Sequence, residues 1–321
     1  IPVTSTCLNI TTTMSTWLIY SDHEFVDCLG SPTIMRCCLR RLQLLCTCVA
    51  FLLGASVGTW SGALGSWPMF IWCFCFVLTF IILIIELCEL EDRFSFSWDN
   101  FLTTYNCYSA LLCLSASITY PITYIQFLPD SRSRDHAITS TAFSCIAFAA
   151  YAMEVAWNRA QPNAITSYMA TVPGLLKGLE TTVACVIFAF ISSPHLYEHQ
   201  PALGWCVAAY AICFLLAAVV LMLNLGKCEN RLPIPFRIFQ LGLTLLSVLL
   251  YASALVLWSL YQFDEKVGGQ PPRSSNVSCS HEPIYSMCAW DQRLAVTILT
   301  AINLLIYVTD LVFLALNFVK D

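Results

Sequence analysis

The 321-residue sequence predicts an all-α integral membrane protein with eight transmembrane helices arranged as two tandem four-helix units. Three observations carry that expectation. Hydrophobic residues make up 58% of the chain and charged residues 11%, whereas a soluble domain carries about 25% charged residues. Apolar runs near the roughly twenty residues needed to cross about 30 Å of hydrocarbon fill most of the length. The second half of the chain also repeats the first.

Segment one, Leu42 to Gly62, enters behind Arg36, Arg40 and Arg41 and carries Gly54, Gly58 and Gly62 at every fourth position. Such a ridge lets another helix approach closely, with a partner in the same chain favoured over one in another molecule. Segment two runs from Trp67 to Cys88, segment three from Phe101 to Tyr120, where Pro121 follows, and segment four from Ala137 to Trp157. Segment five opens on Pro173 and ends at Ile191, segment six covers Leu203 to Leu225, segment seven Ile238 to Leu260 and segment eight Leu294 to Phe318. Trp67, Tyr120, Trp258 and Tyr261 fall near segment ends, where amphipathic rings suit the interface. The segments are too long for barrel strands and lack period-two alternation, and an open strand edge cannot sit in lipid, so they are read as helices.

Lys and Arg set the orientation. With the N-terminus cytoplasmic, Arg36, Arg40, Arg41, Arg93, Arg159, Lys177, Lys227, Arg231, Arg237 and Lys320 flank the inner face, and Arg132, Arg134, Lys266, Arg273 and Arg293 the outer. That split is ten to five, and an even number of spans returns the C-terminus to the cytoplasm. The expected organisation is a cytoplasmic tail over 1–35, a first unit over 36–160, and a second over 168–321 with a long outer loop at 261–293. The Ser/Thr-rich start lacks a basic region followed by an apolar core, so no cleaved signal peptide is expected.

The repeat is read from recurring strings. Leu39-Arg40-Arg41-Leu42-Gln43 with Cys48, Val49 and Phe51 matches Leu176-Lys177-Gly178-Leu179-Glu180 with Cys185, Val186 and Phe188 at an offset of 137. Leu111, Leu112, Ser115 and Ala116 recur 138 positions on as Leu249, Leu250, Ser253 and Ala254. Asp135, Tyr151 and Glu154 recur 156 positions on as Asp291, Tyr307 and Asp310. For segments two and six, only Trp72-Cys73 against Trp205-Cys206 suggests a register. Four spans per unit give both copies one orientation, unlike the inverted repeats of many transporters.

Longer strings carry a family resemblance: Leu42-Gln43-Leu44, Trp72-Cys73-Phe74-Cys75-Phe76, Ser131-Arg132-Ser133-Arg134-Asp135-His136-Ala137-Ile138, Met169-Ala170-Thr171-Val172-Pro173-Gly174-Leu175-Leu176-Lys177 and Tyr261-Gln262-Phe263-Asp264-Glu265-Lys266. From about Ser31 onward the chain resembles the tandem MARVEL family, that of the myeloid-associated differentiation marker and its relatives. The resemblance implies a plasma-membrane, raft-associated protein acting in membrane organisation, trafficking and cell-surface or cortical functions.

Most of the eighteen cysteines lie within apolar spans, where they act as small soft hydrophobes. Cys37 and Cys38 beside the basic cluster are candidates for S-palmitoylation, since an acyl chain there enters the leaflet directly. Cys279 and Cys288, in the long outer loop, are candidates for a disulfide, and Asn276 opens a glycosylation sequon there. Arg40 with Glu154, and Lys177 with Asp310, are expected to form intramembrane ion pairs, which would set segment one beside four and five beside eight. Glu180 competes for Lys177.

No histidine falls in a zinc pattern, and P-loop, dinucleotide and Gly-x-Ser-x-Gly motifs are absent from the sequence, so no metal, no cofactor and no enzymatic activity are expected. The net charge of -5 and the want of a basic patch away from membrane flanks argue against a nucleic-acid partner. The expected partners are membrane lipids, with Leu257, Tyr261 and Lys266 fitting a proposed cholesterol-contact spacing, and other membrane proteins, with homo-oligomerisation left open. A small-solute transporter or channel is the alternative reading.

Overall fold

The structure is a computed structural model and describes residues 32–58, 63–90, 93, 97–125, 128, 132–160, 168–192, 196–198, 200–225, 235–269 and 288–320. Eight of its helices are long and apolar enough to cross a membrane. They are α1 Pro32–Val57, α2 Ala63–Leu87, α3 Trp98–Tyr120, α4 Arg132–Ala160, α5 Val172–Ile191, α6 Pro201–Leu225, α7 Phe236–Phe263 and α8 Ala289–Lys320.

Local chemistry accounts for several ends. Thr171 caps α5, its hydroxyl accepting from the Gly174 amide at 3.5 Å, and Pro173 follows where no amide hydrogen is needed. At the end of α3, Pro121 has no amide hydrogen to give, and the chain continues as a wider π turn over Pro121–Ile125 instead of stopping. Helix α1 begins at Pro32, about three turns before the apolar run at Leu42. Hydropathy marks where hydrocarbon begins, but helical hydrogen bonding continues through the boundary, and arginine is a good helix former. For the same reason α4 starts at Arg132, ahead of Ala137.

Each unit is a closed ring of four helices: α1 packs on α2 and α4, and α3 on the same two, while α5, α6, α7 and α8 repeat the arrangement. Trp72, Cys75, Cys113, Tyr120 and Tyr151 fill the first core, and Tyr210, Cys213, Tyr251, Trp258 and Tyr307 the second. Burial aligns α2 with α6 at an offset of 138, pairing Ile71, Trp72, Cys75, Thr79 and Ile82 with Ala209, Tyr210, Cys213, Ala217 and Val220, all inside. This corrects the Trp72-Cys73 to Trp205-Cys206 register. Trp72 is 0% exposed and Trp205 46%, so the matching dipeptides face opposite ways. The shared dipeptide is a coincidence of letters, and the period of the buried stripe sets the register.

The bundles meet where α3 and α2 lie against α5. Gly178 makes the approach close: a Cβ there would stand 3.2 Å from Leu111 Cδ1 and 3.0 Å from Met169 Cε. Beside it the Tyr108 and Thr181 hydroxyls are 3.1 Å apart.

Candidate functional site

In each bundle the buried charge collects into one node. In the first, Arg40 on α1 is 1% exposed, with Nη2 3.0 Å from Glu86 Oε1 on α2 and 3.1 Å from Glu154 Oε1 on α4. One turn along α1, Gln43 Nε2 donates to Glu154 Oε2 at 2.7 Å and to the Ala150 carbonyl at 3.4 Å. In the second, Lys177 Nζ on α5 donates to Glu180 Oε2 at 2.9 Å and to Thr244 Oγ1 on α7 at 3.1 Å. It also lies 2.9 Å from Asp310 Oδ2 on α8 and 5.5 Å from the Tyr307 ring centroid. Thr244 Oγ1 donates to Asp310 Oδ2 at 3.3 Å, closing the cluster.

The repeat explains why the two nodes are built alike. Arg40 and Lys177 occupy equivalent positions, as do Glu154 and Asp310, and each base meets its acid because α1 lies beside α4 and α5 beside α8. A charge isolated in hydrocarbon is costly, so pairing inside the bundle is what permits these side chains at such depth. Neighbouring hydroxyls obey the same rule. Thr79 Oγ1 is 2.7 Å from both the Tyr105 and Tyr151 hydroxyls, and Tyr105 also donates to the Cys75 carbonyl at 3.0 Å. In the second bundle Asn303 Nδ2 donates to the Tyr251 hydroxyl at 2.7 Å and Tyr210 joins Thr300 at 2.8 Å.

Glu86 was not foreseen, because it sits where segment two leaves the apolar run. At the 138 offset its counterpart is Asn224, and a recurring polar residue at that point was the signal available. The glycine ridge needs correction. At Gly54 a Cβ would fall 2.8 Å from Trp72 Cζ3 and 2.9 Å from Met69 Sδ, so α1 and α2 of one bundle meet there. Gly58 instead has φ +75 with open space around it, and ends α1 in a left-handed conformation that glycine adopts without strain. Gly62 lies outside the described residues.

Cys37 and Cys38 are partly buried free thiols in the early turns of α1. Cys288 is disulfide-bonded, whereas Cys279 and Asn276 lie outside the described residues. Leu257 and Tyr261 pack on the second core, leaving Lys266 exposed. Among the described residues no group of three or more His, Cys, Asp or Glu is placed to hold a metal ion. The arrangement offers ion pairing and hydrogen bonding.

Comparison with known proteins gives one consistent result. The MARVEL membrane-associating domain matches residues 33–157 and again 168–313. The chain is 67% identical over 302 residues to the myeloid-associated differentiation marker of Homo sapiens, covering 91% of this chain and 94% of that protein. It is 63% identical over 279 residues to that of Mus musculus, covering 86% and 87%. To the Homo sapiens myeloid-associated differentiation marker-like protein 2 it is 37% identical over 290 residues, covering 89% and 92%. No solved structure gives a significant match.

Proposed function

From the premise that the chain belongs to the MARVEL family, within its myeloid-associated differentiation marker branch, we propose that it is a non-catalytic organiser of raft-like plasma-membrane domains. In this role it supports membrane trafficking and cell-surface and cortical organisation, with both termini in the cytoplasm.

One observation supports the reading above others: the molecule turns its polar chemistry inward and its apolar chemistry outward. The buried charges pair with one another, while Phe70, Phe80, Leu215, Met222, Val256 and Leu305 stand exposed on the helices around both bundles. Only acyl chains, sterol or other membrane helices can meet such a surface within a bilayer. A solute pathway would instead call for polar groups lining a route across the membrane.

The test is partitioning of the fluorescently tagged chain in giant vesicles drawn from plasma membranes, together with solute uptake by proteoliposomes. Enrichment in the ordered phase without saturable uptake supports the proposal. Exclusion from that phase, or saturable uptake of a small solute, overturns it.

A further inference from the structure

Among the described residues the second node is out of charge balance. Lys177 supplies one positive charge, while Glu180 and Asp310, both 0% exposed, supply two carboxylates to it. The first node escapes this in two ways. Its second acid, Glu86, is 23% exposed and reaches outward, and the position equivalent to Glu180 is Gln43, an amide with the shape of a protonated glutamate. An unbalanced carboxylate in so dry a site is far more costly than a neutral carboxylic acid.

Independently of the organiser reading, we infer that the second bundle is a binding site for one proton, held on the Glu180 carboxyl. Asp310 Oδ2 has both the Lys177 ammonium and the Thr244 hydroxyl, whereas Glu180 Oε2 has the ammonium alone. Asp310 is therefore better supported as the anion. Glu180 Oε1 and Asp310 Oδ1 both lack a hydrogen-bond partner among the described residues, so the Thr244 hydroxyl on Asp310 is what separates the two acids, and Oε1 is the Glu180 oxygen that takes the proton. The proton comes from a hydronium ion, whose O–H bond breaks to leave water as the carboxyl O–H bond forms, and release reverses the transfer.

Among the described residues the other titratable groups facing Glu180 are Tyr307 on α8, Tyr251 on α7, Cys213 on α6 and Tyr108 on α3, phenols and a thiol. None supplies a second positive charge.

The full chain in lipid nanodiscs tests this by infrared spectroscopy. At neutral pH the wild type shows a protonated-carboxyl C=O band that shifts when glutamate carries a ¹³C carboxyl and stays in place when aspartate does. Glu180→Gln folds and loses the band. The labelled wild type alone decides the matter if that variant folds poorly. A folded wild type without the band, a band that follows the aspartate label, a band that persists in Glu180→Gln, or stabilisation by sodium in place of the band overturns the inference.

Discussion

Replacing Lys177 with methionine keeps all but the last atom of the side chain's length and removes its charge. Asp310 and Glu180, both buried, then face each other with only Thr244 as a polar partner for the aspartate. Removing one partner of a buried pair costs about 3–5 kcal/mol, a large share of the roughly 5–15 kcal/mol by which a folded domain exceeds its unfolded state. The Lys177→Met chain is therefore expected to melt well below the wild type. The double variant Lys177→Met with Asp310→Asn should recover most of the loss, since with Glu180 protonated no unpaired charge remains. Arg40→Met should cost less than Lys177→Met, because Glu154 keeps its Gln43 bond and Glu86 is partly exposed. Thermal unfolding in detergent micelles, followed by fluorescence-detected size exclusion, reads all three. The reasoning is refuted if Lys177→Met melts like the wild type, if the double variant is no more stable than the single, or if Arg40→Met is the more damaging.

Thr79→Val removes the hydroxyl shared by Tyr105 and Tyr151 and should destabilise the first bundle by about 1–3 kcal/mol; an unchanged melting temperature would remove that network from the account. Gly54→Ala drives a methyl group into the Trp72 ring and should cost about 1–3 kcal/mol. Gly58→Ala meets only backbone strain at φ +75, expected at about 1–2 kcal/mol, so enlarging each residue further to leucine should worsen the first position and leave the second nearly flat. In the outer loop, Cys279→Ser should expose Cys288 to an impermeant maleimide. Of the two sequons, Asn276-Val277-Ser278 should carry a glycan removable by glycosidase and Asn9-Ile10-Thr11 none; a glycan on Asn9 would reverse the proposed topology.

Much of the fold was legible because length and hydropathy are enough to mark a span. The eight helices follow the eight apolar runs, and only their polar extensions, such as Pro32 to Arg41 on α1, escaped a measure that sees hydrocarbon and not backbone hydrogen bonds. The repeat singled out Arg40, Glu154, Lys177 and Asp310, since a charged residue that recurs at one depth is rare against an apolar background. Glu86 was hidden at a span end. The Tyr and Thr hydroxyls were hidden because each is common in a helix and acquires meaning only from a neighbour on another one. Gly58 shows the opposite hazard, a spacing that reads as a motif although the helix ends before completing it.

The seam between the bundles joins unlike partners. It takes α3 from one unit and α5, the counterpart of α1, from the other, so the duplicated copies perform different tasks in it. Where Gly178 admits Leu111, the first unit has Arg41. Where α3 offers Tyr108 and Leu111, the second unit has Leu246 and Leu249, which stand 43% and 61% exposed. Duplication therefore left two copies that are no longer exchangeable: a chain assembled from two first units would bring a guanidinium to the spot where Leu111 requires bare backbone.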